Sequence, residues 1–175
     1  MVKTDTQITA AAYSGLRNLI ALCGKGVAWL TVVMVLLSFT IVILRYGFNQ
    51  GWIWLQESVT YLHVTVFMVA AAWTLAQDGH VRVDIFYSRM PDKKQAMVNL
   101  LGTLLFLVPF CVFLLVSAGP YVASSWKLLE SSREAGGLPM VFLLKSLILI
   151  MPLLLLGQAF INSNDAWRTL RGNDT

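Results

Sequence analysis

The sequence predicts an all-α integral membrane protein. Four transmembrane helices form a single membrane domain over residues 1–175, with both termini cytoplasmic and an N-terminal amphipathic interfacial helix at 8–23. Three observations carry this prediction. The chain is 57% hydrophobic and only 13% charged, with a mean hydropathy of +0.69. A soluble domain carries about 25% charged residues, so most of this surface must face lipid or apolar protein. Four long apolar runs occur, each about as long as or longer than the ~20 residues that cross a ~30 Å hydrocarbon core. The basic residues alternate in density between the segments that join those runs.

The spans are about 26–44, 52–76, 95–126 and 140–161. The first, GVAWLTVVMVLLSFTIVIL, lies uncharged between Lys25 and Arg45. It is too long for the ~7–15-residue apolar core of a cleavable signal, so it reads as a retained span. Before it, Ile8, Ala12, Leu16, Leu19, Ile20 and Cys23 recur at helical spacing. That pattern fits an interfacial helix; the competing reading is a frayed polar tail. The second span holds two ionisable residues, Glu57 and His63. The third is longer than a bilayer needs, and Pro109 and Pro120 predict a kink and a second break. The fourth carries Lys145 near its start and Pro152 in its middle.

Lys and Arg set the orientation. Lys3, Arg17 and Lys25, then Arg82, Arg89, Lys93 and Lys94, then Arg168 and Arg171 fall on one side. Arg45, Lys127, Arg133 and Lys145 fall on the other. The positive-inside rule places the first group in the cytoplasm. The net charge of +4 is then topological, and no basic face with interleaved aromatics points to nucleic acid. Trp52, Trp54, Trp126 and Trp167 sit near span ends, as interfacial rings do. Cys23 and Cys111 stand alone and read as small apolar residues.

Charge at membrane depth is costly, so Glu57 and His63 need a reason. Six residues apart on a helix, they lie about 120° from each other and share no face. Gln56, Thr60 and His63 share one track; Glu57 follows another with Tyr61, Val64 and Met68. At ~1.5 Å per residue from Trp52, Glu57 is about 7 Å deep and His63 about 16 Å, near the midplane. His63 is expected to hydrogen-bond between helices, with a proton or ligand role as the alternative. Span two, with both tracks, is expected to be the most buried helix. Lys145 enters the fourth span at the depth of Glu57. It could pair with Glu57, or each could snorkel to the surface. A b-type haem between helices takes two histidines at matching depth, whereas His63 and His80 are some 25 Å of helix apart. Gly79 suits a helix C-cap, and Gly136–Gly137 before Pro139 suits a turn. A short element on the membrane surface is expected around Ile85, Phe86 and Met90. No metal spacing, phosphate loop or nucleophile arrangement appears, so no enzyme, catalytic or cofactor site is predicted.

Three stretches together resemble a known family. RYGFNQGWIWLQES enters span two, AQDGHVRVDIFYSRMP follows it, and ESSREAGGLPMVFLLKS enters span four. With the four-span layout they resemble the small membrane subunit of a TRAP (tripartite ATP-independent periplasmic) transporter over about residues 20–165. The resemblance implies a small permease subunit of a sodium-driven, binding-protein-dependent importer of organic acids in the bacterial inner membrane. It implies two protein partners: a large multi-span subunit, which binds substrate and sodium, and a periplasmic solute-binding protein. This chain would act as scaffold, without a cofactor of its own. Glu57, Gly79, His80, Arg82 and Asp84 match the family pattern as structural or interface positions. Arg133 and Glu134, beside Gly136 and Gly137, would face the binding protein. The alternative is a haem-bearing membrane anchor of an oxidoreductase, and a third reading is a self-assembling pore. The substrate is not legible.

Overall fold

A computed structural model describes the backbone of residues 2–80 and 84–172, and the side chains of residues 13–80 and 86–172. The described residues form helices: α1 (Val2–Gly47), α2 (Ile53–Ala76), a short α3 (Asp84–Tyr87), α4 (Asp92–Gly102), a π-helical turn (Thr103–Leu107), α5 (Val108–Leu128) and α6 (Val141–Arg171). Four stretches are long and apolar enough to cross a membrane: Tyr13–Gly47, Ile53–Ala76, Asp92–Leu128 and Val141–Arg171. They coincide with the four predicted runs; the first, third and fourth are longer than predicted, and the second keeps its predicted length to within a residue.

The backbone does not separate an interfacial helix at 8–23 from the first span. Residues 2–47 are one helix of 46 residues, about 69 Å long at 1.5 Å per residue. Of the apolar stripe of that first half, where side chains are described, Leu16, Ile20 and Cys23 turn into the bundle, whereas Leu19 stays exposed. Ile20 is 2% exposed and joins Ala72, Cys111, Leu155 and Ile161 in the core, with Tyr13 and Leu16 against it. Gly24 permits this approach, because a Cβ there would fall inside the Trp73 side chain. Lipid tails are as apolar as leucine, so close backbone approach is what holds such helices together. Cys111 is fully buried in the core as a small apolar residue.

The prolines do not act alike. Proline at 109 cannot donate a helical hydrogen bond, and its ring crowds the carbonyl of residue 105. The helix answers with the wider π turn at Thr103–Leu107, immediately before it. The predicted kink therefore becomes a π turn. The break predicted at Pro120 does not occur: α5 runs through it to Leu128. Nor does Pro152 interrupt α6.

The most buried helix is α6, not α2. It packs on α1, α2, α4 and α5. Pro152, Leu155, Gln158, Ala159, Ile161 and Ala166 of α6 are buried, against Leu55 and Ala72 of α2. Small side chains such as Ala159 and Gly157 let neighbours close in; Leu16 lies 3.2 Å from where a Cβ on Gly157 would stand. Polarity in α2 marked it as a helix with something to satisfy, which is not the same as a central helix.

Candidate functional site: the loop clamp and the outward polar track

The ends of the bundle hold most of its polar contacts. At the end bearing the 129–140 loop, two carboxylates organise the backbone. Glu57, one turn into α2, accepts the Ser132 hydroxyl and, at 2.6 Å, the Leu138 backbone N–H. Ser132 N–H in turn donates to Leu138 O at 3.0 Å, so residues 132–138 close on themselves. Inside that ring, Gly137 N–H donates to Glu134 O at 3.0 Å, and Gly136 takes φ +81°. A Cβ at Gly137 would strike Ser132 Oγ and stand 2.8 Å from Glu57 Oε1, so only glycine fits. The Gly136–Gly137 turn is as predicted, and its reason is the carboxylate beneath it.

Glu130 makes the second clamp. Its Oε2 accepts from Lys145 Nζ at 2.5 Å and from Ser125 Oγ at 2.7 Å. Lys145 also lies 4.0 Å from the centroid of the Tyr121 ring. The Lys145 ammonium first, then the Ser125 hydroxyl, holds the Glu130 carboxyl below the usual carboxylate range. Nearby, Trp126 donates its indole N–H to Ser146 at 2.8 Å and meets Phe142 edge to face at 4.8 Å. Lys145 is thus partnered by Glu130, and the Glu57–Lys145 pair that depth suggested is not the one that forms. The chain reverses between Ser125 and Val141. That reversal brings Glu130, rather than a residue on another span, beside Lys145.

His63 departs from its expected role. Its side chain is exposed, as are those of Gln56 and Thr60. Together with Ile53 and Phe67 they form one outward stripe of α2, while other residues of the helix, Leu55 and Ala72 among them, pack on α1 and α6. Neither Gln56 nor His63 makes a side-chain hydrogen bond among the described residues. Thr60 reaches only the Gln56 carbonyl of its own helix. The track is real, but it does not join helices within this chain.

The Gly79 expectation is corrected in detail. The left-handed residue at the end of α2 is Asp78, at φ 56°. Asp78 N–H donates to Leu75 O and Gly79 N–H to Thr74 O, at 3.2 and 2.9 Å, closing a Schellman cap. Gly79 takes part in that cap through its N–H, and a Cβ on it would stand 3.1 Å from the Thr74 methyl, a tight fit. His80 is exposed in the turn that follows. Arg82 lies outside the described residues, and so does the Asp84 side chain at the start of α3. Arg133 and Glu134 are exposed on the loop.

At the opposite end, sequence reasoning missed a node on Asp165. Tyr13 donates to it at 2.5 Å and Arg17 stands 3.6 Å away, tying α1 to α6. The signal available was the Tyr13–Arg17 spacing of four, which puts both on one face. Asp165 also lines a cavity of about 380 Å³ with Asp78, Asp92, Gln95, Asn99 and Asn162. Among the described residues no group of three or more His, Cys, Asp or Glu could hold a metal ion.

Comparison with known proteins places these features. The chain is 29% identical over 83 residues to a TRAP transporter small permease protein of Haemophilus influenzae, covering 47% of this chain and 50% of that one. It is 26% identical over 95 residues to the C4-dicarboxylate TRAP transporter small permease protein DctQ of Vibrio cholerae, covering 54% and 40%. The chain thus spans about half the length of these relatives or less. No solved structure matches it. The haem-anchor alternative finds no support in these comparisons. Residues 34–171 match the family model of tripartite ATP-independent periplasmic transporters, DctQ component, and the chain belongs to that family, as a multi-pass helical protein of the bacterial inner membrane.

Proposed function

We propose that this chain is the scaffold subunit of a sodium-driven, binding-protein-dependent importer of organic acids. The observation that carries the scaffold reading is where its polar groups go. Glu57 is consumed by the 129–140 loop, Glu130 by Ser125 of α5 and Lys145 of α6, and Asp165 by α1. A translocation site needs charged or polar groups convergent on a cavity at membrane depth. Here they are spent on clamps at the two ends of the bundle. Sodium and substrate would then be bound by a large multi-span subunit. The name of the Vibrio cholerae relative supports a small carboxylate as the class of solute.

In this reading the basic end of the bundle faces the cytoplasm. The clamped loop, with exposed Arg133 and Glu134, faces the periplasm and receives the solute-binding protein. Rigidity suits that role, because a pre-ordered loop loses less entropy on binding.

The test is reconstitution into liposomes with an imposed sodium gradient and a radiolabelled C4-dicarboxylate. Uptake is expected only when this chain, the large subunit and the binding protein are present together. Uptake by this chain alone would overturn the scaffold reading. For the loop, the double charge reversal Arg133→Glu with Glu134→Arg is expected to weaken binding-protein affinity for the assembled membrane complex. Unchanged affinity and uptake would remove that contact.

A further inference from the structure

We propose that the outward stripe of α2 is the seam on which a helix of the large membrane subunit docks, through hydrogen bonds to Gln56 and His63. The stripe runs Ile53, Gln56, Thr60, His63 and Phe67, spaced by three and four, so it is one helical face. Ile53 and Phe67 are 37% and 66% exposed. Counting from Ile53 at ~1.5 Å per residue, His63 lies about 15 Å into the span. Hydrocarbon offers an imidazole no hydrogen bond at that depth, and Gln56, about 5 Å in by the same count, shares the face nearer the end of the span.

The other exposed faces behave differently. On α1 they read Val32, Val35, Leu36, Phe39 and Val42, and on α5 Phe110, Phe113 and Val116. These are surfaces that lipid can cover. A hydroxyl there can bond back to its own helix: Thr40 donates to Leu36 O and Ser124 to Pro120 O, each at 2.8 Å. The Gln56 and His63 side chains make no such bond to their own helix, and His63 at mid-span needs an external partner. A partner helix carrying its own polar side chain fits that chemistry, with Ile53 and Phe67 packing above and below. The assignment of that helix to the large subunit rests on the reading of this chain as the small permease subunit.

The experiment uses the co-expressed membrane complex. A photo-crosslinking phenylalanine analogue is placed at Thr60 or Phe67, and at Leu36 or Phe39 of α1 as controls. The α2 positions are expected to give an adduct with the large subunit, and the α1 positions none. In parallel, Gln56→Leu with His63→Leu is expected to lower co-purified large subunit at least tenfold. The helical melt of the isolated chain should not move, because neither side chain bonds within it. Adducts from α1 but not α2, an adduct between two copies of this chain, or a leucine double variant that retains its partner would each overturn the seam. Failure of the wild-type chain to co-purify with any large subunit would instead overturn the small-subunit reading, and the seam with it.

Discussion

At the scale of single residues, this protein manages polar groups by giving each carboxylate a defined set of donors. Glu57 holds a loop, and the loop is shaped to fit it through Gly137. Glu57→Gln keeps the size but replaces one acceptor oxygen with an amide. It is expected to speed proteolytic cleavage within 129–140 while the helical content stays unchanged. Gly137→Ala should do the same by overpacking, at a cost of about 1–3 kcal/mol in a denaturation series. Glu130 adds a pH dependence with a definite sign. Its carboxyl titrates below the ordinary glutamate value near 4.5, because Lys145 and Ser125 favour the charged form. A group depressed in the folded state contributes stability above its unfolded pKa and loses it as pH falls through the folded one. The thermal midpoint of the purified chain should therefore drop as pH falls below about 4.5, and Glu130→Gln should flatten that part of the profile.

At the scale of elements, glycine and proline set how the helices bend and touch. Gly24 and Gly26 are two residues apart on α1, yet only Gly24 faces another helix. Gly24→Val would drive a side chain into Trp73 and is expected to destabilise the bundle by about 1–3 kcal/mol or more. Gly26→Ala meets nothing within 4 Å. It should be neutral or stabilise by about 0.5–1 kcal/mol, because alanine is the better helix former. Thermal melts of the two variants in one detergent check both. The contrast between Pro109 and Pro120 has the same moral. Each removes one hydrogen bond, but only Pro109 sits at a π turn. There the π turn widens the backbone just ahead of the ring.

At the scale of the whole molecule, α6 is the hub and α2 the helix with an unsatisfied face. A small subunit built this way has an inside made by α6 and an outside that sorts by chemistry. Apolar faces on α1 and α5 suit lipid, and a polar seam on α2 suits protein. Assembly is expected to be specific to that seam. Substituting Phe39→Ala on α1 should leave complex yield within about twofold of wild type in quantitative co-purification, whereas the α2 leucine double variant should not.

The sequence by itself determined the membrane class, the four spans, the family and the existence of a polar track on α2. Those properties depend on composition, run length and helical period, which are local. It also placed the 136–137 turn, because two glycines before a proline leave little else. Only the tertiary structure decided which carboxylate meets Lys145, since Glu57 and Glu130 offer the same charge at the same end of the bundle. The answer lies in how the loop reverses. Likewise, helical phase showed that Gln56, Thr60 and His63 share a face, but not whether that face turns inward. Burial is a property of neighbours, and the neighbour that took the centre of the bundle was α6, whose small residues allow close approach. His63 therefore points away from its own chain, on the face proposed above as a docking seam.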